Sequence, residues 1–169
     1  MTGTPMQLIR VLSESEPDKK WDLMEYKEKR SLNQNSLYWL YVGKIAKKTR
    51  INAARIHNEN LRALCQPERI GGNIVTLYIP DTDDAEEAVL NSSTYHLRPT
   101  SETREGKDGV TYRGYILLRG SHTFDVATMS ALLDMVIEEA KAQGIETISP
   151  QELEQLRAYE RNRDAKYRR

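Results

Sequence analysis

The stretch Val110–Gly144, VTYRGYILLRGSHTFDVATMSALLDMVIEEAKAQG, changes its apolar period partway along and so decides the fold class. From Val110 to Arg119 the side chains alternate. Val110, Tyr112, Ile116 and Leu118 fall on one side and Arg113, Tyr115 and Arg119 on the other, which predicts a half-buried strand. From about Asp125 to Gln143 the period lengthens: Val126, Met129, Leu132, Leu133, Val136, Ile137 and Ala140 form one stripe. That spacing predicts an amphipathic core helix, and Gly144 stands where a helix end needs left-handed backbone. Strands grouped against helices make this an α+β chain, with small antiparallel β-ribbons or a sheet packed with amphipathic helices in a single domain.

Downstream, Ile145–Ile148 continues as a short extension. Ser149, Pro150 and Glu152 then supply an N-cap, a first-turn proline and a capping box for a last helix. That helix carries Leu153, Leu156 and Tyr159 before turning basic, which suggests a main domain over 1–148 and a basic helix or tail over 149–169. Upstream, a mobile polar connection over Thr100–Gly109 is expected to join the Val110 strand to a strand at Tyr95–Arg98. Asp81–Asn91 reads as a short helix with acids at its start, where the helix dipole favours them. A Gly71–Gly72 turn leads into a strand over Asn73–Ile79, which Pro80 stops. A helix over Asn52–Gln66 ends before Pro67.

Another helix is predicted from Ser31 to about Lys48, opened by a Ser31/Gln34 capping box. At about 100° per residue, Leu37, Tyr38, Trp39, Tyr41, Val42, Ile45 and Ala46 share a broad core arc, while Lys44, Lys47 and Lys48 take the opposite sector with Leu40 at its border. The first residues read as a hairpin, with strands at Gln7–Leu12 and Trp21–Glu28 and a Pro17 turn between them.

At 169 residues and 38% hydrophobic content, the chain suits one compact core. No run approaches the roughly 18–20 apolar residues of a membrane span, and the N-terminus lacks a signal-peptide pattern, so a cytoplasmic protein is expected. Cys65 is the lone cysteine, cannot form an internal disulfide and is expected to be partly buried.

The 25 basic and 25 acidic residues balance, but they are segregated. Between Lys27 and Arg62 nine Lys or Arg residues face only Glu28 and Glu59; Asp81–Glu87 holds five acids and no base. Single-strand binding needs cations that track phosphates and aromatic faces on which bases stack. Candidate cations are Lys44, Lys47, Lys48, Arg50 and Arg55 around two helices, Arg113 and Arg119 on the strand, and Arg157, Arg161, Arg163, Lys166, Arg168 and Arg169 near the end. Candidate stacking rings are Tyr115, Tyr159 and Tyr167, with Tyr38 and Trp39 assigned to packing.

His57, His96 and His122 lie in three different predicted elements with no second ligand at metal spacing, and CxxC, HExxH, GxSxG and Walker patterns are absent. No catalytic residue, metal or cofactor is therefore expected. His57, Asn58, Glu59 and Asn60 point in four directions on one helix, which predicts a solvated face. Asp81, Asp83, Asp84, Glu86 and Glu87 are explained by helix-start acidity. The enzymatic alternative is a metal-dependent nuclease of HNH or resolvase type that uses these two groups, and a further alternative is a pure protein-interaction module.

The run Lys29, Arg30, Ser31, Leu32, Asn33, Gln34, Asn35, followed by Leu37, Tyr38, Trp39 and Leu40, resembles the Arg-Ser-Leu-x-Gln-Asn signature of the phage NinB family. Gly120–Asp134 is similar to that family's Ser/Thr-rich turn entering an amphipathic helix, while the middle, from about Cys65 to Thr111, carries no likeness. The resemblance implies a recombination mediator that binds single-stranded DNA without sequence preference, associates with the host single-strand-binding protein and forms a homodimer. Arg30, Ser31, Leu32, Gln34, Asn35 and Trp39 would then be mainly structural. DNA contact is expected at the Lys44–Arg55 cluster and the basic tail.

Overall fold

A computed structural model describes residues 4–16, 18–21 and 32–166, without the side chains of 32–33 and 160–166. The core rests on two long helices, α2 (Leu32–Thr49) and α5 (Val126–Ala142), which pack side by side. On α2, Tyr38, Tyr41, Val42 and Ile45 follow the i, i+3, i+4, i+7 spacing and are buried; on α5, Met129, Leu132, Leu133, Val136, Ile137 and Ala140 do the same. Fully burying one such aliphatic side chain stabilises the fold by about 1.5–3 kcal/mol. Gln34, also buried, bridges the pair through its amide, which donates to Ser130 Oγ at 3.1 Å. Its capping partner Ser31 lies outside the described residues.

Between the long helices in sequence, α3 (Ala53–Leu64) starts at Asn52, whose side chain accepts from the Ala54 amide, and adds Ile56 and Leu61 to the core. At the far end of α5, the Ile145 amide bonds to the Ala140 carbonyl and the Gly144 amide to that of Lys141, with Gly144 at φ +62. This is the Schellman stop that the glycine predicts. The Ile148 amide then donates to the Tyr41 hydroxyl at 2.7 Å, pinning the connector before α6 (Pro150–Lys166), and the Ser149/Glu152 capping box forms as expected.

A three-stranded antiparallel sheet places β5 (Thr111–Leu117) between β3 (Thr76–Pro80) and β4 (Leu97–Glu105). Leu77 pairs with Tyr115 and Leu97 with Leu117. Ahead of it, β1 (Arg69–Ile70) and β2 (Asn73–Ile74) form a small ribbon. Its two-residue turn, Gly71 and Gly72, has both φ positive, the geometry that glycine adopts at no steric cost. Ile116 and Leu118 pack toward the helices, whereas Tyr115 and Leu117 join Val89, Leu97 and Ile79 in a second cluster beneath α4 (Asp83–Leu90). The sheet thus contributes side chains to both clusters at its β5 end, while much of β3 and of the outer part of β4 stays exposed, and the architecture is α+β.

Two expected elements differ, and a third falls almost wholly outside the described residues. Gln7–Leu12 is helical, within α1 (Pro5–Ser13), because Thr4 and Gln7 form a reciprocal capping box with Pro5 in the first turn. The local helix-start chemistry prevails over the β-branched content of the segment. Of the paired strand, Trp21 lies in no regular element and Asp22–Glu28 lies outside the described residues. Thr100–Glu105 is not a mobile connection: it continues β4 beyond an irregularity between Pro99 and Thr103, and a tight turn at Gly106–Val110 returns the chain.

Candidate functional site

The three histidines that sequence separates are brought together. His57 on α3, His96 just before β4 and His122 in a 3₁₀ turn (Ser121–Thr123) line one cleft of about 390 Å³ with Trp39, Ser92, Ser93 and Ser121. The His57 and His96 rings meet edge to face with centroids 5.1 Å apart, and the Trp39 indole lies 4.7 Å from His57. Among the described residues, no three His, Cys, Asp or Glu side chains are placed to hold a metal ion.

Buried partners orient these rings. Asn58 donates both amide hydrogens to backbone carbonyls, those of Leu90 at 2.7 Å and Ser92 at 2.8 Å. Its Oδ1 is therefore left to accept, and it lies 2.6 Å from His96 Nδ1. The proton of the neutral His96 ring sits on Nδ1, and Nε2 carries the lone pair. Burial of the ring, and then the charge of His122, hold the His96 pKa below its ordinary value. Gly120 lets the rings approach, because a Cβ there would lie 2.6 Å from His122 Nδ1 and 3.7 Å from His96 Nε2.

The expected solvated face His57–Asn60 is mostly interior. His57, Asn58 and Asn60 are buried and only Glu59 is exposed. A helix packed by α2, α5 and the loop after α4 can bury polar groups on several sides when each finds a partner. His57 bonds Tyr38, and Asn60 donates to the Ile56 carbonyl and to Glu139 at 3.2 Å.

The predicted cations separate into two groups. On α2, Trp39 (41% exposed) and Leu40 (51%) share an outer face with Gly43, Lys44 and Lys47, and this helix contains no carboxylate. Nothing crowds Gly43, and Lys44 and Lys47 beside it are exposed. Lys44 also stands 5.3 Å above the Tyr41 ring. Arg50 follows the helix, exposed and in left-handed backbone. Lys48, by contrast, turns to the Gln143 carbonyl at the end of α5.

Four others, Arg55, Arg113, Arg119 and Arg157, are engaged elsewhere. Arg55 pairs with Glu59, and Arg157 with Asp134 at 2.6 Å. Arg113 holds Asp81 through two bonds of 2.7 and 2.9 Å, while Arg119 binds Thr123 and lies over Phe124. Arg161, Arg163 and Lys166 belong to α6 with side chains outside the description, as are Arg168 and Arg169 entirely.

Two aromatic assignments reverse. Tyr115, expected as a stacking ring, is 2% exposed beneath α4 and donates to Glu86 at 2.7 Å; burial and that carboxylate push its hydroxyl up to about 12. Trp39, expected in the core, borders the cleft, while Tyr38 is fully buried as expected. Tyr159 is exposed on α6, and Tyr167 lies outside the described residues.

The acids of Asp81–Glu87 gather at the start of α4, and three of them, Asp81, Asp83 and Glu86, line a second cleft of about 270 Å³. Arg113 and Arg62 balance Asp81 and Glu86 there. Cys65 is half-buried, and no helix among the described residues is long and apolar enough to cross a membrane.

Compared with family models, with curated proteins and with solved structures, the chain matches none.

Proposed function

We propose that this chain binds single-stranded DNA without sequence preference and serves as an accessory protein of a phage-type recombination pathway, the role its likeness to the NinB signatures implies. The supporting observation is the outer face of α2, where Trp39 and Leu40 stand in solvent beside Lys44 and Lys47 on a helix that lacks any carboxylate. A single strand is held by that combination: cations take its phosphates, and an exposed ring stacks a base. The ion-paired Arg55, Arg113 and Arg157 are not needed for it. A homodimer, and a host single-strand-binding protein as partner, follow from the same likeness and belong to this proposal.

The test is a fluorescence-anisotropy titration of a labelled oligothymidine at several salt concentrations, alongside the matching duplex. Salt-sensitive binding that favours the single strand supports the proposal. An oligonucleotide that stays unbound at micromolar protein, even in low salt, overturns it in favour of a protein-interaction module.

A further inference from the structure

We infer that the histidine cleft takes one unstacked base of the bound strand, a step which rests on the single-strand proposal above for the source of that base. The cleft's volume of about 390 Å³ lies within the roughly 300–1,000 Å³ typical of small-molecule sites. Four of its lining side chains are flat rings, three are hydroxyls, and none is Lys, Arg, Asp or Glu. A phosphate entering alone would meet no permanent countercharge. A neutral heterocycle meets ring faces to lie against and, at its edge, both kinds of hydrogen-bond partner, since the serines donate or accept and His96 Nε2 accepts.

Continuity with α2 gives the direction of entry. Trp39 belongs both to the outer face of α2 and to the cleft wall, so a base that leaves its neighbours there remains attached to a backbone passing Lys44 and Lys47. The Trp39 ring is tilted 40° against His57 and remains 41% exposed, which leaves it area for a stacked base.

The cleft can be tested without phosphate. With Trp21→Phe, Trp39 becomes the sole indole, and its fluorescence reports the addition of 2′-deoxyadenosine or thymidine. Saturable quenching at millimolar nucleoside is expected. Ser93→Phe, an exposed position at the cleft wall, should weaken it at least about ten-fold, as loss of a stacked base implies. Lys44→Ala with Lys47→Ala should change it less than about two-fold, because a nucleoside carries no phosphate. Circular dichroism verifies that each variant is folded. Quenching that survives Ser93→Phe, or that no nucleoside produces, overturns the base pocket. Nucleoside binding without oligonucleotide binding would overturn only the single-strand proposal, and the reverse result only the pocket.

Discussion

Tyr38 and His57 meet across the α2–α3 interface in a hydrogen bond of 2.7 Å between the phenol oxygen and Nδ1. Burial, and then the charge of Glu139, drive the Tyr38 hydroxyl well above its ordinary range, so it is a neutral partner around pH 7. Removing the hydroxyl by Tyr38→Phe keeps the ring packing and loses the polar link, which should cost about 1–2 kcal/mol. Chemical denaturation measures it, and an unchanged midpoint would show that the bond contributes nothing.

The depressed His96 pKa makes stability depend on pH. The folded chain binds fewer protons than the unfolded one, whose histidine titrates near 6.5. The contribution is complete above that value and is lost as pH falls through the folded pKa. The Tm should therefore drop between about pH 7 and pH 5, and His96→Gln should flatten that drop. Glu86 acts in a separate window. Burial raises its carboxyl, but Arg62 and Tyr115 more than offset this, so its contribution disappears only below the ordinary carboxylate value of 4.5. An equal drop in wild type and His96→Gln would assign the acid sensitivity elsewhere.

Gly120 has ordinary extended backbone, so alanine fits its conformation. The new Cβ would strike the exposed His122 ring, which can swing into solvent. Gly120→Ala should leave stability unchanged or raise it by no more than about 1 kcal/mol. Its effect belongs to the cleft: histidine NMR should show His122 displaced and the His96 titration moving back toward 6.5.

Replacing Lys44 and Lys47 with alanine tests the α2 stripe directly. Both are exposed, so the fold should survive. Each lost phosphate contact should reduce the slope of log K against log salt by about 0.7 for single strands. The paired Arg113→Ala should leave that slope as it is, and a wild-type slope in the lysine double variant would remove the stripe from the binding surface.

Periodicity made α2, α3 and α5 legible, and cap chemistry at Gly144 and Ser149 gave ends close to those observed, while the caps at Asn52 and Asp125 emerge in the structure. Gln7–Leu12 misled because β-branched residues there suit a strand, while Thr4 and Gln7 close a helix start around Pro5. The cleft was hidden for a different reason. His57, His96 and His122 are 39 and 26 residues apart in sequence, and it is β4 beside α3, with β5 paired to β4, that brings them together. The burial of Asn58 could not be read from its position, because Glu59 also lies between Ile56 and Leu61 and is exposed. The neutralised arginines could not be foreseen either: Asp81 finds Arg113 through strand register, and Asp134 finds Arg157 through helix packing.

Strand β5 sends Ile116 to the helical core and Tyr115 and Leu117 to the smaller cluster under α4. Neither body of apolar side chains can melt without stripping support from the other. Heat should therefore dismantle residues 32–142 in one cooperative step, with the calorimetric and van't Hoff enthalpies equal, and α4 should be no looser to hydrogen exchange than the strand beneath it.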